Sequence, residues 1–351
     1  MTRKPDGDLR RGWTTGACAT AATKAALLRL WGGAFPDLVS ITLPKGETPE
    51  FPLAFTEHGA DWVSVGITKD AGDDPDVTHG ALIIVTVREN TAGIRFKAGE
   101  GVGTITKPGL PIPVGEPAIN PVPRQMMTQE VEALAAQHNR APHVDISVSI
   151  PDGAEIAKKT WNPRLGITGG LSILGTTGVV RPFSCAAWIA SIHRGIDVAR
   201  ADGLPHVAGC TGATSEKTVQ DFYGLPDHAM LDMGDFVGGM IKYLRKNPVS
   251  RLTVAGGIGK MTKLAQGASD LHSSRSQVDF DVLAKWTGVD AVANANSALD
   301  ALQIVGPRMG QLIADRAREA GTLLVGHGDQ PVMLDVIVVD RAGQIIGRSG
   351  P

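Results

Sequence analysis

The stretch Thr253-Val254-Ala255-Gly256-Gly257-Ile258-Gly259-Lys260 joins a short apolar run to a glycine turn and then to residues that suit a helix. A buried parallel strand ends this way where it turns back through a helix, and open α/β sheets bind cofactors at that carboxyl end. The spacing is neither G-x-G-x-x-G nor G-x-x-x-x-G-K-[ST], so no dinucleotide or Walker loop is indicated, and an ordinary tight turn would look the same. Its weight comes from repetition. Residues 204–208 precede a helical segment at 218–223, residues 229–232 one at 236–245, and residues 252–255 one at 260–266. Strand and helix alternating at this length imply parallel strands with right-handed crossovers. Residues 161–330 are therefore expected to form a Rossmann-like three-layer α/β domain.

Outward from that core the rhythm differs. Residues 39–43, 51–55, 62–67, 81–87, 94–97 and 144–150 are strand-like runs separated by turn residues, with helices expected at 18–31 and 126–138. Residues 1–160 thus read as a strand-rich α+β domain. Residues 331–351 form a third piece, a hairpin around Asp340-Arg341-Ala342-Gly343 that could return to either domain.

Composition limits the function classes. Lys and Arg number 34 against 36 Asp and Glu, and aromatic residues are 5%; neither a global basic field nor stacking platforms for bases are available, so nucleic acid is not expected as a partner. The apolar runs are strand-sized, which gives no membrane span, and the charged segment 1–11 does not read as a secretory signal. Cys18, Cys185 and Cys210 are far apart and never in a CxxC pair, which suits a reducing compartment and neither a disulfide framework nor a zinc knuckle. Cytoplasm is the expected location, and self-association is left open. The scattered histidines offer no metal-ligand spacing, and no G-x-S-x-G elbow is present.

Glycine, with 43 residues, is the anomaly, and it clusters after strand-like runs. Because loops after neighbouring parallel strands converge, Gly209, Thr211 and Gly212, then Asp232, then Gly256, Gly257 and Gly259 are the candidate cofactor-binding residues. Asp232 could accept hydrogen bonds from ribose hydroxyls, whereas Asp235 suits a helix N-cap. In the first domain, Thr14, Thr15 and Gly16 open an alanine-rich helix whose N–H groups would favour an anion, although the same pattern fits a tightly packed core helix. The run 97–121, dense in Gly and Pro, could form an anion-binding nest through Gly101 and Gly103, with Lys107 adding charge. Arg164 and Arg181, in glycine/proline loops, could clamp carboxylates. His272, in Asp270-Leu271-His272-Ser273-Ser274-Arg275-Ser276, is the one candidate base, with a solvent-facing helix start as the plainer alternative.

Four segments together carry a resemblance: RGWTTGACATAATKAA at 11–26, GEGVGTITKPGLPIPVGEPAINPVPR at 99–124, KKTWNPRLGITGGLSILGTTG at 158–178 and DLHSSRS at 270–276. In this order they resemble the CbiD family of cobalt-precorrin-5B C-methyltransferases. The resemblance runs from about Arg11 to Gln277, and residues 278–351 are less distinctive. It implies methyl transfer from S-adenosylmethionine to ring carbon 1 of cobalt-precorrin-5B, giving cobalt-precorrin-6A in the cobalt-early branch of cobalamin biosynthesis. The metal would arrive within the corrinoid substrate, so no protein-bound metal is implied. The acidic-glycine fingerprint of common methyltransferases is absent, so no cofactor residue carries over from that wider group. A nicotinamide-dependent corrin-ring reductase on the same Rossmann-like domain, or a non-catalytic tetrapyrrole carrier, would share many of these features. The loop 99–115 and the helix start 14–18 would form the first domain's wall of a corrinoid cleft between domains.

Overall fold

In the computed structural model, which describes residues 7–326 and 330–350, the sheets fall into two sets that share no strand. They belong to two units, Met1–Ser184 and Cys185–Pro351. The architecture is mixed, with several sheets and helices. Residues 1–6, part of the segment weighed above as a leader, lie outside the described residues.

The first unit is built on a five-stranded sheet in the order Phe55–His58, Trp62–Thr68, Leu82–Glu89, Val144–Ser149, Ile94–Ala98. All neighbours are antiparallel except the last pair. Period-two alternation puts Val63, Val65, Ile67, Ile83, Val85, Val87, Val144, Ile146 and Val148 into one core with the helix Thr15–Gly32. Burying each such side chain contributes about 1.5–3 kcal/mol relative to leaving it exposed. Ala17, Ala19, Ala21, Ala22, Ala25 and Ala26 are fully buried, and their short side chains let the helix approach both the sheet and the helix Pro121–Gln137. Of the two expectations for this helix, the packed-core one describes it. Thr14 caps it by accepting from Ala17 N, and Gly33 ends it in the left-handed region at φ +85°.

Residues 161–184, expected in the second domain, pack with the first unit. Gly12–Trp13 pairs with Val179–Val180 and Thr104–Ile105 with Ile167–Thr168, while Leu171 and Ile173 enter the first core. The division consequently falls after Ser184, not after residue 160. Ladder hydrogen bonds and apolar burial hold this segment, neither of which shows in local sequence.

The second unit carries a five-stranded sheet in the order Met230–Asp232, His206–Cys210, Arg251–Gly257, Met333–Val339, Ile345–Ser349. The first four strands are parallel and the last is antiparallel. Val207, Leu231, Leu252, Val254, Val336 and Val338 pack with buried residues of the helices Cys185–Ala201, Val237–Leu244, Ile258–Ala265 and Arg308–Val325. Alternate residues Ala208, Cys210, Met230, Ala255, Ile337 and Val339 pack with Val219 of the helix Ala213–Tyr223. Helices thus cover both sheet faces. The expected C-terminal hairpin exists, but its first strand lies inside this sheet beside Arg251–Gly257, so residues 331–350 are integral to the second unit.

Candidate active site

Three loops meet at the carboxyl edge of the parallel strands. Cys210 stands beside both Asp232 and Ala255 in register. Thr211 N donates to Ala255 O at 3.0 Å and Gly234 N to Cys210 O at 3.1 Å, so each loop is tied to its neighbour's strand. At Gly256 a Cβ would sit 2.6 Å from Thr211 Oγ1, whereas at Gly212 and Gly257 it would meet nothing within 4 Å. Gly257, exposed, caps the helix Ile258–Ala265. Backbone with no Cβ facing open space is what close approach of a ligand needs.

Of the seven residues expected to bind cofactor, Thr211, Gly212, Gly256 and Gly257 are brought together here. Gly259 lies one residue inside the helix, with Ala298 Cβ 4.0 Å from where its own would be. Asp232 ends the outermost strand, and its carbonyl accepts from Trp188 Nε1 at 2.9 Å. Gly209 is within the strand, not the loop, and a Cβ there would strike the Met240 thioether at 2.5 Å; it serves strand-to-helix packing.

Two residues that the sequence reading did not join complete this edge. Lys260 Nζ donates to Thr211 O at 3.2 Å and stands 3.0 Å from Asp235 Oδ1. The Asp235 side chain is 7% exposed, and Oδ1 makes no hydrogen bond among the described residues. Asp235 is not the N-cap it was expected to be. That position belongs to Phe236, and no side chain caps the helix Val237–Leu244.

His272 sits in an exposed turn that starts no helix. Its Nδ1 accepts from Ser274 N at 3.2 Å and lies 2.7 Å from Ser274 Oγ, while Asp270 accepts from His272 N at 3.1 Å and from Arg275 at 2.7 Å. Arg275 reaches the Cys185 thiol at 3.7 Å. The nearby groups hold the turn, leaving Nε2 as the imidazole atom without a described partner.

In the first unit, the backbone expected to bind an anion is already paired. Gly16 N donates to Leu174 O at 2.9 Å and Cys18 N to Thr14 O at 3.1 Å. Thr15 Oγ1 accepts from Leu174 N at 2.9 Å, and Thr14, Thr15 and Gly16 are all buried. Around the expected nest, Gly99 N donates to Val148 O at 2.8 Å and Gly103 N to Leu171 O at 2.9 Å. Gly101, at φ +70°, crosses backbone to backbone, so that a Cβ on Gly153 or Gly170 would lie 2.3 or 2.1 Å from its carbonyl oxygen. The glycines at 101 and 103 allow chain crossings in the core, and no outward fan of N–H groups forms there.

The charged side chains fare differently. The Lys107 stem lies over Gly166, whose carbonyl accepts from both Thr106 N and Thr106 Oγ1 at 2.7 Å. Arg164 stacks over Trp161 at 5.8 Å. Lys107 and Arg164 are partly exposed, and Arg181 is exposed. Nearer the core, Lys69 is 2% exposed and pairs with Asp76 at 2.7 Å. Burial would push the Asp76 carboxyl up, but Lys69 and Thr78 outweigh it and hold it below the usual range. Burial pushes the Cys18 thiol up to about 12, which makes it inert.

A second polar network lies inside the other sheet. The wholly buried Asp335 accepts from Tyr223 OH at 2.8 Å and Arg251 Nε at 2.7 Å, and His206 Nε2 lies 2.8 Å from Thr253 Oγ1. Among the described residues no three His, Cys, Asp or Glu side chains are grouped to hold a metal ion. No helix among them is long and apolar enough to cross a membrane.

Open glycine loops stand at the carboxyl end of the parallel strands of this α/β unit. The CbiD family model matches residues 2–182, and the model described as CbiD, C-terminal domain, matches residues 270–350. A cobalt-precorrin-5B C(1)-methyltransferase from Paramagnetospirillum magneticum is 59% identical over 97% of this chain and 98% of its own. One of the same name from Brucella anthropi is 58% identical over 97% of this chain and 96% of its own. A solved structure, the cobalamin biosynthesis protein cbiD from Archaeoglobus fulgidus, is similar at TM-score 0.42 and 25% identity, covering 95% of this chain and 88% of that one. The chain belongs to the CbiD family.

Proposed function

We infer that this chain is a cobalt-precorrin-5B C(1)-methyltransferase, moving a methyl group to ring carbon 1 of the corrinoid in cobalamin biosynthesis. The observation that carries it is identity of 58–59% over 97% of the chain to relatives of that name. The donor is S-adenosylmethionine, which when bound supplies a methyl group already activated by its sulfonium; the product is cobalt-precorrin-6A. The cobalt belongs to the substrate.

The second unit is Rossmann-like and holds the donor. Strand order supports this, because His206–Cys210 lies between Met230–Asp232 and Arg251–Gly257. The chain leaves His206–Cys210 toward Met230–Asp232 but leaves the neighbouring Arg251–Gly257 toward Met333–Val339 on the other side, and a crevice opens at such a reversal beyond the carboxyl ends. Thr211, Gly212, Gly256 and Gly257 border it, and Asp232 at the end of the outermost strand is the candidate acceptor for ribose hydroxyls.

The acceptor carries many carboxylates, for which Lys107, Arg164 and Arg181 are suited. These side chains, more than the paired backbone around Gly101, recognise it. The protein's own work is to align donor and acceptor and to exclude water; no covalent bond to a side chain is needed. His272 is the candidate base for a proton released afterwards. Cys18, Cys185 and Cys210 form no disulfide with one another, which suits the cytoplasm.

Incubation with methyl-labelled S-adenosylmethionine and cobalt-precorrin-5B tests this. Label in the tetrapyrrole is expected. NADPH oxidation without label would indicate a reductase instead, and corrinoid binding with neither would indicate a carrier.

A further inference from the structure

We propose that Lys260 binds the carboxylate of the methyl donor's amino-acid tail, held in place for this by the buried Asp235. This rests on the donor site proposed above. Across residues 210–213, 232–236 and 256–260 at that edge, Lys260 is the one cationic side chain, and the fourth loop there, after Met333–Val339, adds the exposed Arg341. A donor ending in a carboxylate is matched most strongly by a charged partner there, and the N–H groups of Thr211 and Gly234 are spent on neighbouring strands.

The arrangement also fits in detail. An ammonium has three donors. The described contacts of Lys260 are a hydrogen bond to Thr211 O at 3.2 Å and an ion pair with Asp235 Oδ1 at 3.0 Å, which leaves ammonium N–H donors for a ligand, on a side chain 34% exposed. Asp235, 7% exposed and without a hydrogen bond at Oδ1, is too deeply placed to be a surface ion pair. A carboxylate buried this far would be costly unless a nearby cation were held against it. The pair therefore fixes where the ammonium points, tying the loops after all three strands. On either side, Gly212 and Gly257 face open space, so a ligand lying along the edge brings its tail within reach of Lys260. Asp235 is a positioning residue and Lys260 a binding one.

The test compares S-adenosylhomocysteine with its decarboxylated analogue, which keeps the ammonium, by calorimetric titration. The wild type should prefer the intact ligand by about tenfold or more, as expected for a charge-assisted contact. In K260M/D235N, which removes both charges and leaves no unpaired carboxylate, the preference should fall to near unity through loss of affinity for the intact ligand alone. D235N, which keeps the cation, should retain a preference, and near-UV circular dichroism confirms that each variant is folded. Equal weakening of both ligands, or an unchanged ratio in the double variant, would overturn the assignment while leaving the donor site standing. Failure of the wild type to bind either ligand would overturn the donor site as well.

Discussion

Lys260 Nζ stands 3.0 Å from Asp235 Oδ1, a partly exposed ammonium facing a carboxylate that is almost wholly buried. Removing only the cation strands that carboxylate. K260M should lower stability by about 1–3 kcal/mol, and the double variant K260M/D235N by less than the sum of the single changes. Urea unfolding of the three variants measures this, and additive losses would show that the two groups are not coupled.

The glycines divide into two kinds that substitution can separate. At Gly170 a Cβ would lie 2.1 Å from the Gly101 carbonyl, and neither backbone can retreat from a packed core. G170A should lose at least about 2 kcal/mol or fail to accumulate as folded protein. At Gly257, with φ −70° and nothing within 4 Å, G257V should keep the wild-type melting temperature and weaken S-adenosylhomocysteine binding about tenfold by obstructing the backbone's approach to it. A stable G170A, or a G257V with unchanged affinity, would contradict this division.

His206 gives the protein an acid-sensitive component. Burial, aided by the neighbouring Arg251 charge, lowers its imidazole from 6.5 to about 4. Between those values the unfolded chain takes up the proton that the folded chain refuses. Stability from this group is therefore full above about 6.5, declines as the pH falls toward 4, and falls no further below that. H206Q should flatten the dependence of thermal midpoint on pH across that window. An equal slope in variant and wild type would assign the acid sensitivity to other groups.

Lys107 lies on the first unit, partly exposed, its stem across Gly166. K107A should weaken corrinoid binding by about 1 kcal/mol, the size expected of a partly solvated charge contact, and leave S-adenosylhomocysteine affinity unchanged. Fluorescence or absorbance titration of each ligand distinguishes this from a structural role, which would lower the melting temperature and weaken both ligands alike.

The βα rhythm of the second unit was legible because short apolar runs each ended in glycine; the strands Met230–Asp232 and Arg251–Gly257 fall within about two residues of expectation. Much of the remainder depends on tertiary partners. Residues 161–184 look like the start of an α/β domain but pair with Gly12–Trp13 and Thr104–Ile105 far upstream. Gly101 and Gly103 advertise freedom of φ, yet only Gly153, Gly170 and Ile167 reveal that the freedom serves chain crossing. The helix Arg308–Val325 does carry Met309, Ile313, Ala317, Gly321 and Val325 at four-residue spacing, a stripe that the small Ala and Gly side chains hide from hydropathy. The Lys260 pair with Asp235 joins the first turn of one helix to the loop before another, and no local pattern announces it.

The central claim is that the methyl donor lies at the carboxyl edge of the parallel strands in the second unit. A crystal structure with S-adenosylhomocysteine bound tests it most directly. Ligand density against Thr211, Gly212, Gly256 and Gly257 is the predicted result. Density confined to residues of the first unit, with that edge empty, would contradict it.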